Sequence, residues 1–261
     1  MTSDGGQVTS EVHLWWSTLN QPESVGDVLS ADEQARAARF HFARDRRRFI
    51  LARGMLRHIL AQYVDRQPQE IKFQYSLHGK PRVADPPTDL EFNLTHSEEL
   101  VLCAITRGRP VGVDVEHLRP MPDLAQVAAS SFSLVEQIAL FALKPDERLR
   151  GFFNCWTRKE AYVKARGNGL RMPLNAFDVS LKPGEPAALL ANRLDPAEVM
   201  RWSLAEVSPA EEYVGAVAVQ GQGVRVELHR WEPGEDVPVR EPFDGLRATS
   251  TPIFANGKEK N

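Results

Sequence analysis

Glu98-Glu99-Leu100-Val101-Leu102-Cys103-Ala104-Ile105-Thr106-Arg107-Gly108-Arg109-Pro110-Val111-Gly112-Val113 recurs without a gap, at an offset of about 113, as Glu211-Glu212-Tyr213-Val214 through Gly221 to Val224 and Val226. Each copy is an acidic pair, an apolar run, a glycine turn and an alternating valine return. The pattern predicts an apolar outgoing strand and a half-buried returning strand joined as a β-hairpin. A second offset, about 103, places Leu29-Ser30 and Glu33-Gln34 on Phe132-Ser133 and Glu136-Gln137, and Phe49 on Phe152. Agreement of two helical segments at one offset points to duplication. The fold expected is α+β: two similar subdomains related by a pseudo-twofold, each a small antiparallel sheet packed on helices, with a site in the cleft between them. The division falls near residue 116, giving an N-terminal unit of 1–115, a C-terminal unit of 116–231 and a flexible tail of 232–261 whose composition turns to Pro, Glu, Asp, Gly and Ser.

Working outward, residues 11–19 read as an aromatic-rich opening strand. Ser30-Ala31-Asp32-Glu33 has the form of a capping box before a helix running to about Phe42. A longer helix is expected from about Arg46 to Val64, and Ile71 to Tyr75 alternates like a strand. In the second half a helix carries Trp156-Thr157-Arg158-Lys159-Glu160-Ala161-Tyr162-Val163-Lys164 and ends at the glycines Gly167 and Gly169.

Composition narrows the class. The 261 residues carry a formal net charge of −3 and are 42% hydrophobic, enough for a real core and no support for a global nucleic-acid-binding field. No apolar run approaches a membrane span, and the first residues lack a signal-peptide layout; both lead to the expectation of a cytoplasmic protein without membrane contact. Cys103 and Cys155 sit in apolar stretches and read as reduced core residues. The charge is uneven, with eight arginines between Arg36 and Arg57. Such a stretch is either a solvated helix face or an electropositive wall for a polyanion.

In Val111-Gly112-Val113-Asp114-Val115-Glu116 the valines face one side of a strand and Asp114 and Glu116 the other. On the long helix Trp156, Glu160 and Lys164 fall at i, i+4 and i+8 and share a face. If Glu160 faces the strand, three hard oxygen ligands (Asp114, Glu116, Glu160) converge as Mg²⁺ prefers, with Mn²⁺ as a substitute. At the helical offset half one has Arg57 and Ala61 in place of Glu160 and Lys164, which leads to the expectation that the acids are not duplicated with the scaffold.

These segments resemble the Sfp-type 4′-phosphopantetheinyl transferases. The matching motifs are Gly112-Val113-Asp114-Val115-Glu116, Trp156 to Ala161 followed by Lys164, Phe92-Asn93-Leu94-Thr95-His96-Ser97 and His78-Gly79-Lys80-Pro81, with Thr95 and Thr157 where the family commonly has Ser. The resemblance covers roughly residues 11–231. It implies Mg²⁺-dependent transfer of the 4′-phosphopantetheine of coenzyme A to a serine of an apo acyl or peptidyl carrier protein by a monomeric enzyme, releasing adenosine 3′,5′-bisphosphate. Glu160 and Lys164 would be catalytic. Lys80, Thr95, His96, Arg48, Arg36, Arg53, Asp114 and Lys164 would bind coenzyme A, and the segment with Pro120-Met121-Pro122 and Phe132 would meet the carrier. Lys159 points away from the column and is expected to serve structure. The alternatives are a Mg²⁺-dependent phosphoesterase or nuclease, and a non-enzymatic arginine-rich nucleic-acid-binding module.

Overall fold

The structure is a computed structural model describing residues 11–77, 79–167 and 172–234; His78 of the Gly-Lys-Pro segment, the helix's trailing Gly169 and nearly all of the expected tail lie outside the described residues. Among the described residues, eleven strands and six α-helices follow one another as β1 (Glu11–Thr18), α1 (Ala31–Ala37), α2 (Ala43–Val64), β2 (Lys72–Tyr75), β3 (Pro81–Asp85), β4 (Leu90–Ser97), β5 (Leu100–Arg107), β6 (Val111–His117), α3 (Leu124–Ser131), α4 (Leu134–Ala142), α5 (Arg148–Arg166), β7 (Phe177–Val179), β8 (Leu189–Asn192), α6 (Glu198–Arg201), β9 (Trp202–Val207), β10 (Tyr213–Gln220) and β11 (Arg225–Arg230).

Two sheets, ordered β11-β1-β5-β4 and β6-β10-β9, lie face to face, and two short two-stranded ribbons, β2-β3 and β7-β8, flank them. Side-chain alternation along β5 and β10 explains the layering. Leu100, Leu102 and Ala104 of β5 meet Val217 and Val219 of β10 in a core between the sheets. Val101, Cys103 and Ile105 pack outward on α2 with Met55, Leu56 and Ile59. Val214, Ala216 and Ala218 pack outward against Phe152, Cys155 and Tyr162 of α5. The order is helix, sheet, sheet, helix.

The expected hairpins do not form. β5 already pairs with β1 and β4, so both its edges are taken. The chain turns at Gly108 and carries β6 into the other sheet, antiparallel to β10. β10 repeats the behaviour: it lies between β6 and β9, and after it β11 crosses back to run parallel to β1. The repeat is therefore an exchange of strands between sheets. At its offset Glu227 of β11 stands where Asp114 stands in β6, so one acid is duplicated, contrary to expectation.

The capping boxes are duplicated too. Ser30 with Glu33 opens α1, which ends at Ala37, earlier than expected; Ser133 with Glu136 opens α4. Each glutamate turns into the core with a carboxylate 1% or 2% exposed and ion-paired: Glu33 to Arg53 and Arg57 of α2, Glu136 to Lys159 of α5. A carboxylate buried at that depth is tolerable only when paired and hydrogen-bonded.

Candidate active site

α5 is enclosed on nearly every side. From Gly151 to Ala165 every residue is buried except Trp156, Glu160 and Lys164, the column expected from spacing. The helix stops at Gly167, whose φ of 67° suits glycine and whose N–H bonds the Val163 and Lys164 carbonyls.

The accessible stripe faces β6 because Gly112 has no side chain. A Cβ there would stand 2.2 Å from both the Ala161 carbonyl oxygen and the Ala165 nitrogen, so the helix backbone rests directly on the strand. Beside this contact, Lys164 Nζ donates to Asp114 Oδ1 at 2.6 Å, to Thr95 Oγ1 at 3.2 Å and to the Val113 carbonyl at 3.3 Å. Thr95 Oγ1 also donates to Asp114 Oδ1, at 3.3 Å.

β6 is an edge strand, and side chains rather than a neighbouring strand occupy much of its free edge. Asn93 Oδ1 accepts the Val113 N–H at 2.9 Å, and Ser97 Oγ accepts the His117 N–H at 3.1 Å while donating to Glu116 Oε2 at 2.9 Å. Lys80 Nζ donates to the Val111 carbonyl at 3.0 Å. Asn93, Thr95 and Ser97 stand at i, i+2 and i+4 on one face of β4, which is why this motif touches Val113, Asp114 and Glu116 in order. Asn93, Ser97 and Arg119, which donates to Glu116 Oε2 at 3.2 Å, were not among the expected site residues. The period-two spacing in 92–97 was the signal for the first two; none pointed to Arg119.

Burial pushes the Asp114 carboxyl up to about 6, against the pull of Lys164 and with Glu116 and Glu160 adding to the rise. Glu160 is raised by burial, opposed by Lys164 and reinforced by Glu116. The three carboxylates thus feel one another, as like charges sharing a site must. Asp114 Oδ2 is buried with no hydrogen-bond partner, an acceptor position open to a cation. Among the described residues, however, no group of three or more His, Cys, Asp or Glu is drawn together as a ready metal-ligand set. Asp114 Oδ1 is held by Lys164, and Glu116 Oε2 by Ser97 and Arg119.

Lys80, Asn93, Glu160 and Lys164 line one cleft of about 490 Å³, within the usual size of a ligand site. Gly79 belongs to it and to a second cleft lined by Arg36, Arg39 and Tyr75. The Lys80 ammonium is lowered by burial, with Glu91 opposing. His96, at the accessible edge of β4, is lowered by partial burial and by the Arg48 and Lys164 cations. Arg48 is tied to Glu98 and Glu99 at 3.0 and 2.7 Å.

Two expectations are corrected. Arg53 is buried, bonded to Glu33 and the Tyr75 hydroxyl, and its guanidinium stacks over Phe73, so its charge is engaged in the core rather than on an open wall. Phe132 is 2% exposed and packs on Phe152, in the core rather than on the surface. Lys159 is fully buried, its Nζ donating to the Leu174 and Phe177 carbonyls as well as to Glu136, in keeping with a structural role.

Residues 13–107 match the 4′-phosphopantetheinyl transferase N-terminal family, and residues 110–218 match the 4′-phosphopantetheinyl transferase superfamily. The chain belongs to the 4′-phosphopantetheinyl transferases. It is 42% identical over 232 residues to the 4′-phosphopantetheinyl transferase HetI of Nostoc, covering 87% of this chain and 92% of that one. It is 30% identical over 188 residues to the 4′-phosphopantetheinyl transferase Sfp of Bacillus subtilis, covering 72% and 81%. Membership favours the transferase over the phosphoesterase or nuclease alternative. Among the described residues no helix is long and apolar enough to cross a membrane.

Proposed function

We propose that this chain transfers the 4′-phosphopantetheine arm of coenzyme A to a serine hydroxyl of an apo carrier protein, releasing adenosine 3′,5′-bisphosphate. The observation that carries the reading is the Glu160–Lys164 stripe of α5, open to a cleft and set against Asp114 of β6. Glu160, with its carboxyl raised by burial, accepts the proton of the carrier serine as the oxygen attacks phosphorus. Lys164, anchored by Asp114 and Thr95, supplies positive charge where the leaving phosphate develops negative charge. Lys80, Thr95, His96 and Arg36 are the donors and cations for the phosphates of coenzyme A, with Arg48 adding to the local positive field.

Asp114, Glu116 and Glu160 are the residues that would hold Mg²⁺ or Mn²⁺; the open Asp114 Oδ2 and the all-oxygen donor set suit a hard cation. A bound ion would neutralise the pyrophosphate while the phosphorus–oxygen bond breaks. The enzyme is read as a monomer of the cytoplasm, since one chain supplies both walls of the cleft and the buried thiols Cys103 and Cys155 suit a reducing compartment. The test is incubation with coenzyme A, Mg²⁺ and a panel of apo carrier proteins, followed by intact-mass measurement. A gain of about 340 Da, the mass of the transferred group, on one serine is expected. Carriers that all stay unmodified overturn the reading.

A further inference from the structure

α4 is inside out. Its glutamate, Glu136, is 2% exposed, while Leu134, Val135, Ile138 and Phe141 are 71%, 62%, 65% and 40% exposed. The cause is the inward capping box: the Glu136 carboxylate accepts the Ser133 and Val179 N–H groups and pairs with Lys159, which fixes the helix with its apolar side to solvent. From Leu124 to Ala142 Glu136 is the only ionisable side chain, so α3 and α4 together present a surface with no exposed charge, on a chain that is 26% charged. A contiguous patch of this kind on a water-soluble fold marks an interaction site.

Its position names the occupant. Ser130 and Ser131, at the end of α3, line the cleft with Glu160 and Lys164, and α4 begins close by at Leu134. An acceptor hydroxyl that reaches Glu160 from solvent arrives beside this surface, so the protein that bears it lies against α4. Exposed or half-exposed charges at the rim are balanced, with Arg119, Lys144 and Arg148 against Asp123, Asp146 and Glu147. The contact is therefore apolar at its centre. We infer that the exposed face of α4, centred on Val135 and Ile138, is where the acceptor carrier protein docks, through an apolar face of its own next to the modified serine. This rests on the transferase reading above.

The experiment uses the full chain with Val135→Glu and Ile138→Glu, at positions exposed enough to accept a charge without unfolding, which thermal denaturation verifies. Steady-state transfer to an apo carrier is expected to show KM for the carrier raised about tenfold or more, with coenzyme A affinity by calorimetry unchanged. Ile138→Ala, which removes the contact without adding charge, is expected to raise that KM several-fold. If wild type modifies the carrier and the variants do so with unchanged KM, the docking surface is wrong and the transferase reading stands. If wild type modifies no carrier, both fall. A concentration-dependent wild-type dimer that Ile138→Glu dissociates, or sedimentation of wild type with phosphatidylcholine vesicles that it abolishes, in either case with carrier KM unchanged, assigns the face to a second copy or to lipid and overturns the inference.

Discussion

Gly112 of β6 and Ala161 of α5 are in backbone contact: a Cβ on Gly112 would come within 2.2 Å of the Ala161 carbonyl oxygen. Relief requires the helix and the strand to move apart, which separates Glu160 and Lys164 from Asp114. Gly112→Ala is expected to cost about 1–3 kcal/mol or more of stability, as overpacking does. It should also lower kcat, because Lys164 loses its 2.6 Å contact with Asp114. Urea denaturation and transfer kinetics check both; a variant with wild-type stability would mean the helix is not seated on the strand.

Ser97 and Asn93 both serve the free edge of β6, but only Ser97 also touches a carboxylate. Ser97→Ala leaves the His117 N–H without its acceptor and removes a donor from Glu116, at a cost of about 1–3 kcal/mol. It should in addition weaken Mn²⁺ binding measured by electron paramagnetic resonance, and Ser97→Thr should restore it. Asn93→Ala, which orphans the Val113 N–H, is expected to lose comparable stability with Mn²⁺ affinity unchanged. Equal Mn²⁺ affinities in wild type and Ser97→Ala would separate Ser97 from the ion site.

The accessible column of Trp156, Glu160 and Lys164 was readable in the sequence because three residues at i, i+4 and i+8 share a helix face whatever surrounds it. The strand exchange was not, since an alternating strand after an apolar one reads the same whether it folds back on its neighbour or crosses to another sheet. The equivalence of Glu227 with Asp114 lies one residue beyond that of Val226 with Val113, at the same offset. The engagement of Arg53 was illegible for a different reason: a capping box marks where a helix starts, not where its glutamate points, and Glu33 turned inward claims Arg53 and Arg57. Phe132 shows the same limit, as an apolar letter beside a loop does not say which side is wet.

His13 offers a pH test away from the candidate site. Burial, aided by the His229 and Arg225 charges, lowers it to about 4 from the usual 6.5; its Nδ1 lies 2.6 Å from the Tyr63 hydroxyl of α2, and Glu11 and Glu227 are the nearby acids. Between pH 4 and 6.5 the unfolded chain binds the extra proton and the folded one does not, so stability falls as pH drops through that window, by about 3 kcal/mol in all. Asp114 contributes in the opposite sense over part of the same range, so the comparison must be by difference. His13→Gln should lose less stability than wild type between pH 7 and 4.5; parallel losses would show that His13 does not control the slope.

At pH 7 the Asp114 carboxylate is ionised, but burial makes its charge costlier in the folded chain than in the unfolded one. With its pKa raised from 3.8 to about 6, the folded state binds the proton more tightly than the unfolded state, so stability falls as pH rises through that interval. The strain amounts to about 3 kcal/mol above pH 6. Asp114→Asn keeps the volume and removes the charge, and Lys164, whose side chain is 29% exposed, can still reach water. The variant is therefore expected to melt no lower than wild type at pH 7, while transfer falls about 100-fold or more. The stability difference should vanish below about pH 4, where Asp114 is protonated in both states of wild type. A lower melting temperature at pH 7 would show that the Asp114–Lys164 pair holds the fold together rather than being held in place by it.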